Sequence, residues 1–289
     1  MLCLSVLMML GAVGCDGNDD VSGPVDETPG SWVIYSPYDW SHDGHPYHSV
    51  HCNVYSDGCS AAMKEKAGKF ADSKFLEVLD YFAFTQVGDF LYPPGDDKIN
   101  VYLNRYHEES IAAAYWGTII ITIRASDIDT SRYQYHYLFR HELTHVFEFM
   151  IEGLVNLATE DWFTEGIAVC AGGGLNLVNT VADLESWMDR HADYPNGGNP
   201  LSIKTWTDWP DGRDMTGYYY LWEVVMEYLL DAEGLGKSLQ DVLNLLYDLR
   251  NGDTFCPTFE DHFGLPVATL EAEIFNRLRD FLSSSQPAP

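Results

Sequence analysis

The segment from Tyr137 to Phe149 constrains this chain more than any other, because it combines an apolar helix pattern with a polar trio. It reads Tyr-Leu-Phe-Arg-His-Glu-Leu-Thr-His-Val-Phe-Glu-Phe. His141 and His145 are four positions apart, so a helix places both imidazoles on one face, where they can bind one metal ion. Glu142, beside the first histidine, would then face water at the metal. Burying this trio in so apolar a helix would be costly without a metal ion.

A third protein ligand is needed, because catalytic zinc sites have three protein ligands and an open position. Residues 161–168 read Asp-Trp-Phe-Thr-Glu-Gly-Ile-Ala and place Glu165 on the next predicted helix. The interval between His145 and Glu165 is long enough for the chain to turn and form a second helix antiparallel to the first. The small residues Gly166 and Ala168 are expected to let the two helices approach closely.

Together the two motifs resemble those of the gluzincin peptidases, whose third zinc ligand lies in a Trp-x-x-Glu-Gly-x-Ala helix. The resemblance covers roughly residues 30–285. It implies a zincin-like fold and one Zn²⁺ per chain, held by His141, His145 and Glu165. It also implies hydrolysis of peptide bonds, with Glu142 as the general base that takes a proton from water.

The resemblance also implies a side chain that stabilises the oxyanion, for which family members use Tyr or His. Tyr219 aligns best with that role, and Tyr218 is the next choice. An extended substrate peptide would pair with the edge of the sheet, which we expect near residues 118–123.

The sequence departs from the family pattern at two points. Val169 stands where thermolysin-like members have an aspartate that supports a zinc-binding histidine, so that support must come from elsewhere. Glu148 and Glu152 are interpreted as ordinary members of the helix's polar side. Residues 112–119 contain no acid, whereas aminopeptidase-type members bind the substrate's amine with one there. We therefore expect an endopeptidase.

A competing hypothesis from another class is a non-catalytic zincin scaffold that holds a metal ion or a partner at the cell surface. Glu142 discriminates between the two hypotheses, because a scaffold that only binds has no need of that carboxylate.

The order of predicted elements favours an α+β fold, with a sheet first and helices afterwards. Alternating or β-branched runs predict the strands, and helical spacing of apolar residues predicts the helices. Predicted strands cover 32–36, 98–103 and 117–123, and predicted helices cover 60–83, 133–154, 161–171, 217–232, 236–249 and 267–283. A sheet lobe with the metal helix (31–155) would precede a helical lobe (156–285).

The first 15 residues form an apolar run that ends in Ala-Val-Gly-Cys. The run is too short to span a bilayer and predicts a signal peptide over 1–14. Its ending resembles the bacterial lipobox, which implies lipidation of Cys15. Residues 15–30 would be an acidic, disordered tether, followed by the peptidase domain over 31–289. We expect an exported protein, either an envelope lipoprotein or secreted, that contacts membrane only through Cys15.

The chain has 16 Lys and Arg against 44 Asp and Glu, a formal net charge of −28. This balance argues against nucleic acid as a partner, because the chain has too few basic side chains to neutralise phosphates. The expected partner is a peptide or protein substrate, and the expected state is a monomer.

Four cysteines follow the leader, and an even number in an exported chain suggests two disulfides. The turn-like Ser-Asp-Gly between Cys52 and Cys59 favours a local bridge, which leaves Cys170 with Cys256, although four cysteines allow three pairings. The histidines at 42, 45, 48 and 51 recur every three residues and are candidates for a second metal site. Because Gly44 and Pro46 interrupt any helix there, these are interpreted as loop or strand histidines.

Overall fold

A computed structural model describes residues 44–84, 98–104, 111–115, 118–122, 133–152, 159–205, 208 and 216–285. The predicted leader, the tether with Cys15, the strand over 32–36 and His42 lie outside these residues. Among the helices that the structure describes, none is long and apolar enough to cross a membrane.

The first half of the chain builds a five-stranded mixed sheet. Its strands are β1 (Tyr47–His48), β2 (Cys52–Asp57), β3 (Ile99–Asn104), β4 (Ile111–Tyr115) and β5 (Thr118–Thr122). Their spatial order is β1-β2-β3-β5-β4. The three central strands β2, β3 and β5 are parallel, and the short β1 and β4 pair antiparallel at the two edges.

The predicted strand over 117–123 is confirmed as β5, but its expected position at the edge of the sheet is wrong. β5 lies between β3 and β4, so β4 forms that edge among the described strands. β4 pairs with β5 from Ile111 opposite Thr122 to Tyr115 opposite Thr118. The run Ile-Ala-Ala-Ala-Tyr has one β-branched residue, Ile111, followed by three alanines, which are uncommon in strands, so its pairing with β5 decides its structure instead.

Helix α1 (Ala61–Tyr81) connects β2 to β3 and lies against the sheet. It begins at Ser60, whose side chain accepts a hydrogen bond from the amide of Met63, which is the usual role of serine at a helix N-terminus. Its buried face includes Ala67, Ala71 and Phe75, which pack in the main core. Apolar residues at helical spacing thus cover one side of the sheet.

Helices dominate the rest of the chain, which confirms the α+β fold. They are α2 (Tyr133–Glu152), α3 (Asp161–Gly172), α4 (Val181–Arg190), α5 (Thr216–Leu230), α6 (Leu239–Arg250), α7 (Phe255–Phe263) and α8 (Val267–Ser284). α4 and α7 were not predicted. Between α4 and α5, where no element is predicted, two short 3₁₀ turns occur at Pro195–Gly198 and Pro200–Ser202.

Helix α3 is the centre of the helical part, since α2 and α5 both pack against it. Gly166 was expected to let α3 approach α2, but its close neighbour is α5. A Cβ at this position would lie 2.6 Å from Met226 Cγ and 3.1 Å from the carbonyl oxygen of Trp222. The missing side chain therefore permits the contact between α3 and α5.

The predicted bridge between Cys52 and Cys59 is absent, because Cys52 carries a free thiol. Residues 52–57 are a strand rather than part of a turn, and a six-residue strand separates its ends by about 17 Å. The Cα atoms of a disulfide lie less than about 7 Å apart. The extended backbone of β2 thus excludes the local bridge.

The predicted bridge between Cys170 and Cys256 is also absent, because Cys170 carries a free thiol. Helix α7 packs through Phe255 on Trp162 and Phe163, near the start of α3. Cys170 is two turns further along α3, about 11 Å away, and its Sγ lies 3.8 Å from the carbonyl oxygen of Glu223 on α5. The two cysteines therefore lie against different neighbours.

Candidate metal centre

Helices α2 and α3 bring the two predicted histidines and the predicted glutamate together. His141 Nε2 lies 3.2 Å from His145 Nε2. Glu165 Oε2 lies 3.2 Å from His141 Nε2 and 3.4 Å from His145 Nε2. All three side chains are buried, with at most 2 % of their surface exposed. The two motifs therefore converge on one triangle of donor atoms.

The dimensions of this triangle fit a tetrahedral metal ion. Two ligands at Zn–N or Zn–O distances of 2.0–2.1 Å and a tetrahedral angle are separated by about 3.3–3.4 Å. The three measured edges of 3.2, 3.2 and 3.4 Å match that separation. Among the residues that the structure describes, this is the one group of three His, Cys, Asp or Glu that could hold a metal ion.

The charges at the triangle favour a cation. Burial alone would lower the pKa of His145, but the carboxylates of Glu165 and Glu148 outweigh that effect, and its pKa is raised well above the ordinary value. Burial would raise the pKa of Glu165, but the two histidines lower it to about 2. The carboxylate is therefore ionised, and a positive charge beside it is stabilised.

Each histidine of the triangle is contacted by a second side chain of α2. His145 Nδ1 lies 2.8 Å from Glu148 Oε2, within good hydrogen-bonding distance. His141 Nδ1 lies 3.4 Å from the hydroxyl of Tyr137, a long contact. In both cases the ring nitrogen that points away from the triangle has the partner, so Nε2 is the atom that could bind a metal ion.

The interpretation of Glu148 and Glu152 as ordinary polar surface is wrong, because both are only 2 % exposed. Glu152 accepts a hydrogen bond from the hydroxyl of Thr159, and burial raises its pKa to about 8. Burial also raises the pKa of Glu148, against the lowering effect of its hydrogen bond with His145. The three-residue interval from His145 permits the contact on a helix, but it does not show that Glu148 is buried.

Glu142, the predicted general base, is fully buried on α2 beside His141. Val169, where an acid was missing from the family pattern, is also fully buried and belongs to the hydrophobic core. Support for the histidines therefore comes from α2 itself rather than from this position of α3.

The two predicted tyrosines lie in different surroundings although they are neighbours on α5. The ring of Tyr219 has its centroid 5.9 Å from that of His141. The ring of Tyr218 packs against Trp187, Tyr194 and Trp222 and is fully buried. The Tyr219 ring thus lies next to one histidine of the triangle.

The described histidines of the 42–51 tract have other partners. His48 Nδ1 lies 2.7 Å from Asn53 Oδ1. His51 stacks on Phe75 with ring centroids 4.4 Å apart, and burial lowers its pKa. These contacts place both rings against the sheet and α1, apart from the triangle.

No protein-family model matches the chain, and no curated protein matches it either. The geometry of the chain itself therefore carries the functional argument. It establishes a buried His-His-Glu group on two contacting helices, consistent with a zincin-like site that could hold one metal ion.

Proposed function

We propose that the protein is a zinc-dependent peptidase, and that it cleaves within peptides rather than from their ends. The observation that carries the proposal is the triangle of His141 Nε2, His145 Nε2 and Glu165 Oε2, with edges of 3.2–3.4 Å. Its size suits zinc, and its two nitrogens and one carboxylate oxygen are the ligand set of several zinc peptidases.

The side chains around the triangle supply the remaining chemistry. A zinc ion held there would act as a Lewis acid and lower the pKa of water to about 7. Glu142 takes a proton from water and returns it to the leaving nitrogen, as a general base and then a general acid. Tyr219 donates its hydroxyl hydrogen to the developing oxyanion, a role supported by its ring lying next to His141.

Strand β4 offers the binding edge for an extended substrate. Among the strands that the structure describes, it is the last on its side of the sheet, and helix α2, which carries both histidines, packs against it. A peptide that pairs with such an edge is held by backbone hydrogen bonds on both sides of the bond to be cleaved. The absence of acids in residues 112–119 leaves no charge there for a free amine, which favours an endopeptidase.

The competing hypothesis, a scaffold that binds metal without turnover, explains less of the site. Glu142 is a fully buried carboxylate, and burying an acid is unfavourable unless something compensates for it. A binding-only scaffold gains nothing from this residue at this place. Its presence beside His141 therefore favours catalysis.

Export remains part of the proposal and rests on the sequence. The apolar run that ends at Cys15 leads us to propose an envelope lipoprotein or a secreted protein. Labelling of expressing cells with a radioactive fatty acid tests the lipid at Cys15, with Cys15→Ser as the control that should stay unlabelled.

The proposed activity is tested by incubating the purified chain with a mixed peptide library, with and without a chelator. Internal cleavage that stops with the chelator and returns with added zinc supports the proposal. One peptide, compared with free and acetylated N-terminus, then decides the mode of cleavage. If acetylation abolishes cleavage and the free peptide loses residues singly from its N-terminus, the enzyme is an aminopeptidase.

A further inference from the structure

We infer that Glu148 is the positioning residue of the metal centre: it holds His145 in the orientation and tautomer that present Nε2 to the metal ion. This inference rests on the proposed metal site but not on catalysis. It assigns a role to a residue outside both sequence motifs.

The geometry is specific to one nitrogen of one ring. Glu148 Oε2 lies 2.8 Å from His145 Nδ1, and both side chains are buried. A carboxylate accepts hydrogen bonds, so this contact requires a hydrogen on Nδ1. A neutral imidazole with its hydrogen on Nδ1 has its lone pair on Nε2, the atom that lies in the triangle. The hydrogen bond thus fixes both the ring direction and the tautomer.

Burial argues against a role that is only structural. Glu148 Oε1 is buried without a hydrogen-bond partner among the residues that the structure describes. A buried carboxylate with so few hydrogen bonds destabilises a protein unless a positive charge lies close by. A metal ion on the far side of the His145 ring provides that charge, so the position of Glu148 suits a loaded site.

The two histidines are supported unequally, which makes Glu148 the more important partner. Tyr137 is neutral and its hydroxyl is 3.4 Å from His141 Nδ1, whereas the carboxylate of Glu148 makes a contact of 2.8 Å. Hydrogen bonds to ionised groups are shorter and stronger than neutral ones. A carboxylate partner also makes the ring a more basic ligand.

The same helix offers a matched control. Glu152 is one turn further along α2 and is as buried as Glu148, but its hydrogen bond comes from Thr159. Replacing either residue by glutamine keeps the shape and removes the charge. A purely structural role predicts the same effect on metal binding for both variants, and a positioning role predicts an effect for Glu148 alone.

The test is the dissociation constant for zinc of the whole chain, measured by competition with a chromophoric chelator. We expect Glu148→Gln to weaken binding about tenfold and Glu148→Met, which removes the acceptor, to weaken it up to about 100-fold. Glu152→Gln should bind zinc as the unmodified chain does. If Glu148→Met does not fold, the comparison of the two glutamine variants decides.

The outcomes separate this inference from the proposed function. If the unmodified chain binds zinc and both glutamine variants bind it equally well, the positioning role is refuted while the metal site stands. If the unmodified chain binds no zinc, both proposals fall. The assignment is supported if zinc affinity falls in Glu148→Gln and falls further in Glu148→Met, while Glu152→Gln keeps the affinity of the unmodified chain.

Discussion

The Oε2 atom of Glu165 lies 3.2 Å from the Nε2 atom of His141, and this contact joins helix α3 to helix α2 inside the protein. Neither atom faces solvent, since both side chains are at most 2 % exposed. Two sequence motifs on separate helices thus meet at a single point.

Removing one ligand should remove the metal ion. We expect the unmodified chain to hold about one zinc per chain and His145→Ala to hold almost none, because two ligands alone bind zinc weakly. Elemental analysis of both proteins after the same dialysis measures this. His262→Ala is the control, since His262 pairs with Asp248 instead. Undiminished zinc in the His145 variant would contradict the assignment.

The three residues that could hold a metal ion were predictable from sequence because their signals are local. A four-residue interval on a helix sets the relative direction of His141 and His145 whatever surrounds them. The segment with Glu165 is equally short and has its own helical pattern. The order of elements in the α+β fold could likewise be predicted, because apolar residues recur with different periods in strands and in helices.

The rest of the site depended on long-range packing. Tyr218 and Tyr219 are adjacent in sequence, and only the packing of α5 on α3 decides which one lies beside His141. The sequence does not distinguish Glu148 from other acids on helices. Its burial, which the structure shows, distinguishes it. The residues 52–57 looked like the approach to a turn, and only pairing with β3 makes them a strand.

The two tyrosines should differ in their contribution to turnover. Tyr219→Phe should lower kcat about 10²–10³-fold, the usual loss when one oxyanion donor is removed, with little change in zinc content. Tyr218→Phe is the matched control and should retain kcat, because its ring packs among Trp187, Tyr194 and Trp222. Steady-state kinetics on one cleaved peptide measure both. The reverse order of effects would transfer the role to Tyr218.

The thiols of Cys52 and Cys170 should be reduced and unreactive in the folded protein. Burial raises the pKa of Cys52 to about 12, so about 10⁻⁴ of it is thiolate at pH 8. Burial also raises the pKa of Cys170. At pH 8 an alkylating reagent should therefore leave both thiols unmodified in the folded protein. Both should become alkylated when denaturant is added, even without a reductant. Peptides that remain cross-linked after that step would restore the disulfide hypothesis.

The buried acid Glu152 should make stability fall as pH rises. Its pKa is about 8 when folded, because burial outweighs the hydrogen bond from Thr159, and about 4.3 when unfolded. Below pH 4 both states are protonated, and between pH 4.3 and 8 only the unfolded state releases the proton. Denaturant unfolding should show Glu152→Gln more stable than the unmodified chain at pH 7, by on the order of 3–4 kcal/mol, and similar at pH 4. Equal effects at both pH values would show that Glu152 does not titrate as expected.

The most direct test of the proposed peptidase is Glu142→Gln, with zinc content and peptide cleavage measured on the same preparation. Glutamine cannot accept a proton but keeps the shape of the fully buried side chain. We predict about one zinc per chain, as in the unmodified protein, and cleavage reduced about 10²–10⁴-fold, the usual contribution of a general base. A variant that keeps its zinc and cleaves at a near-normal rate would contradict the account.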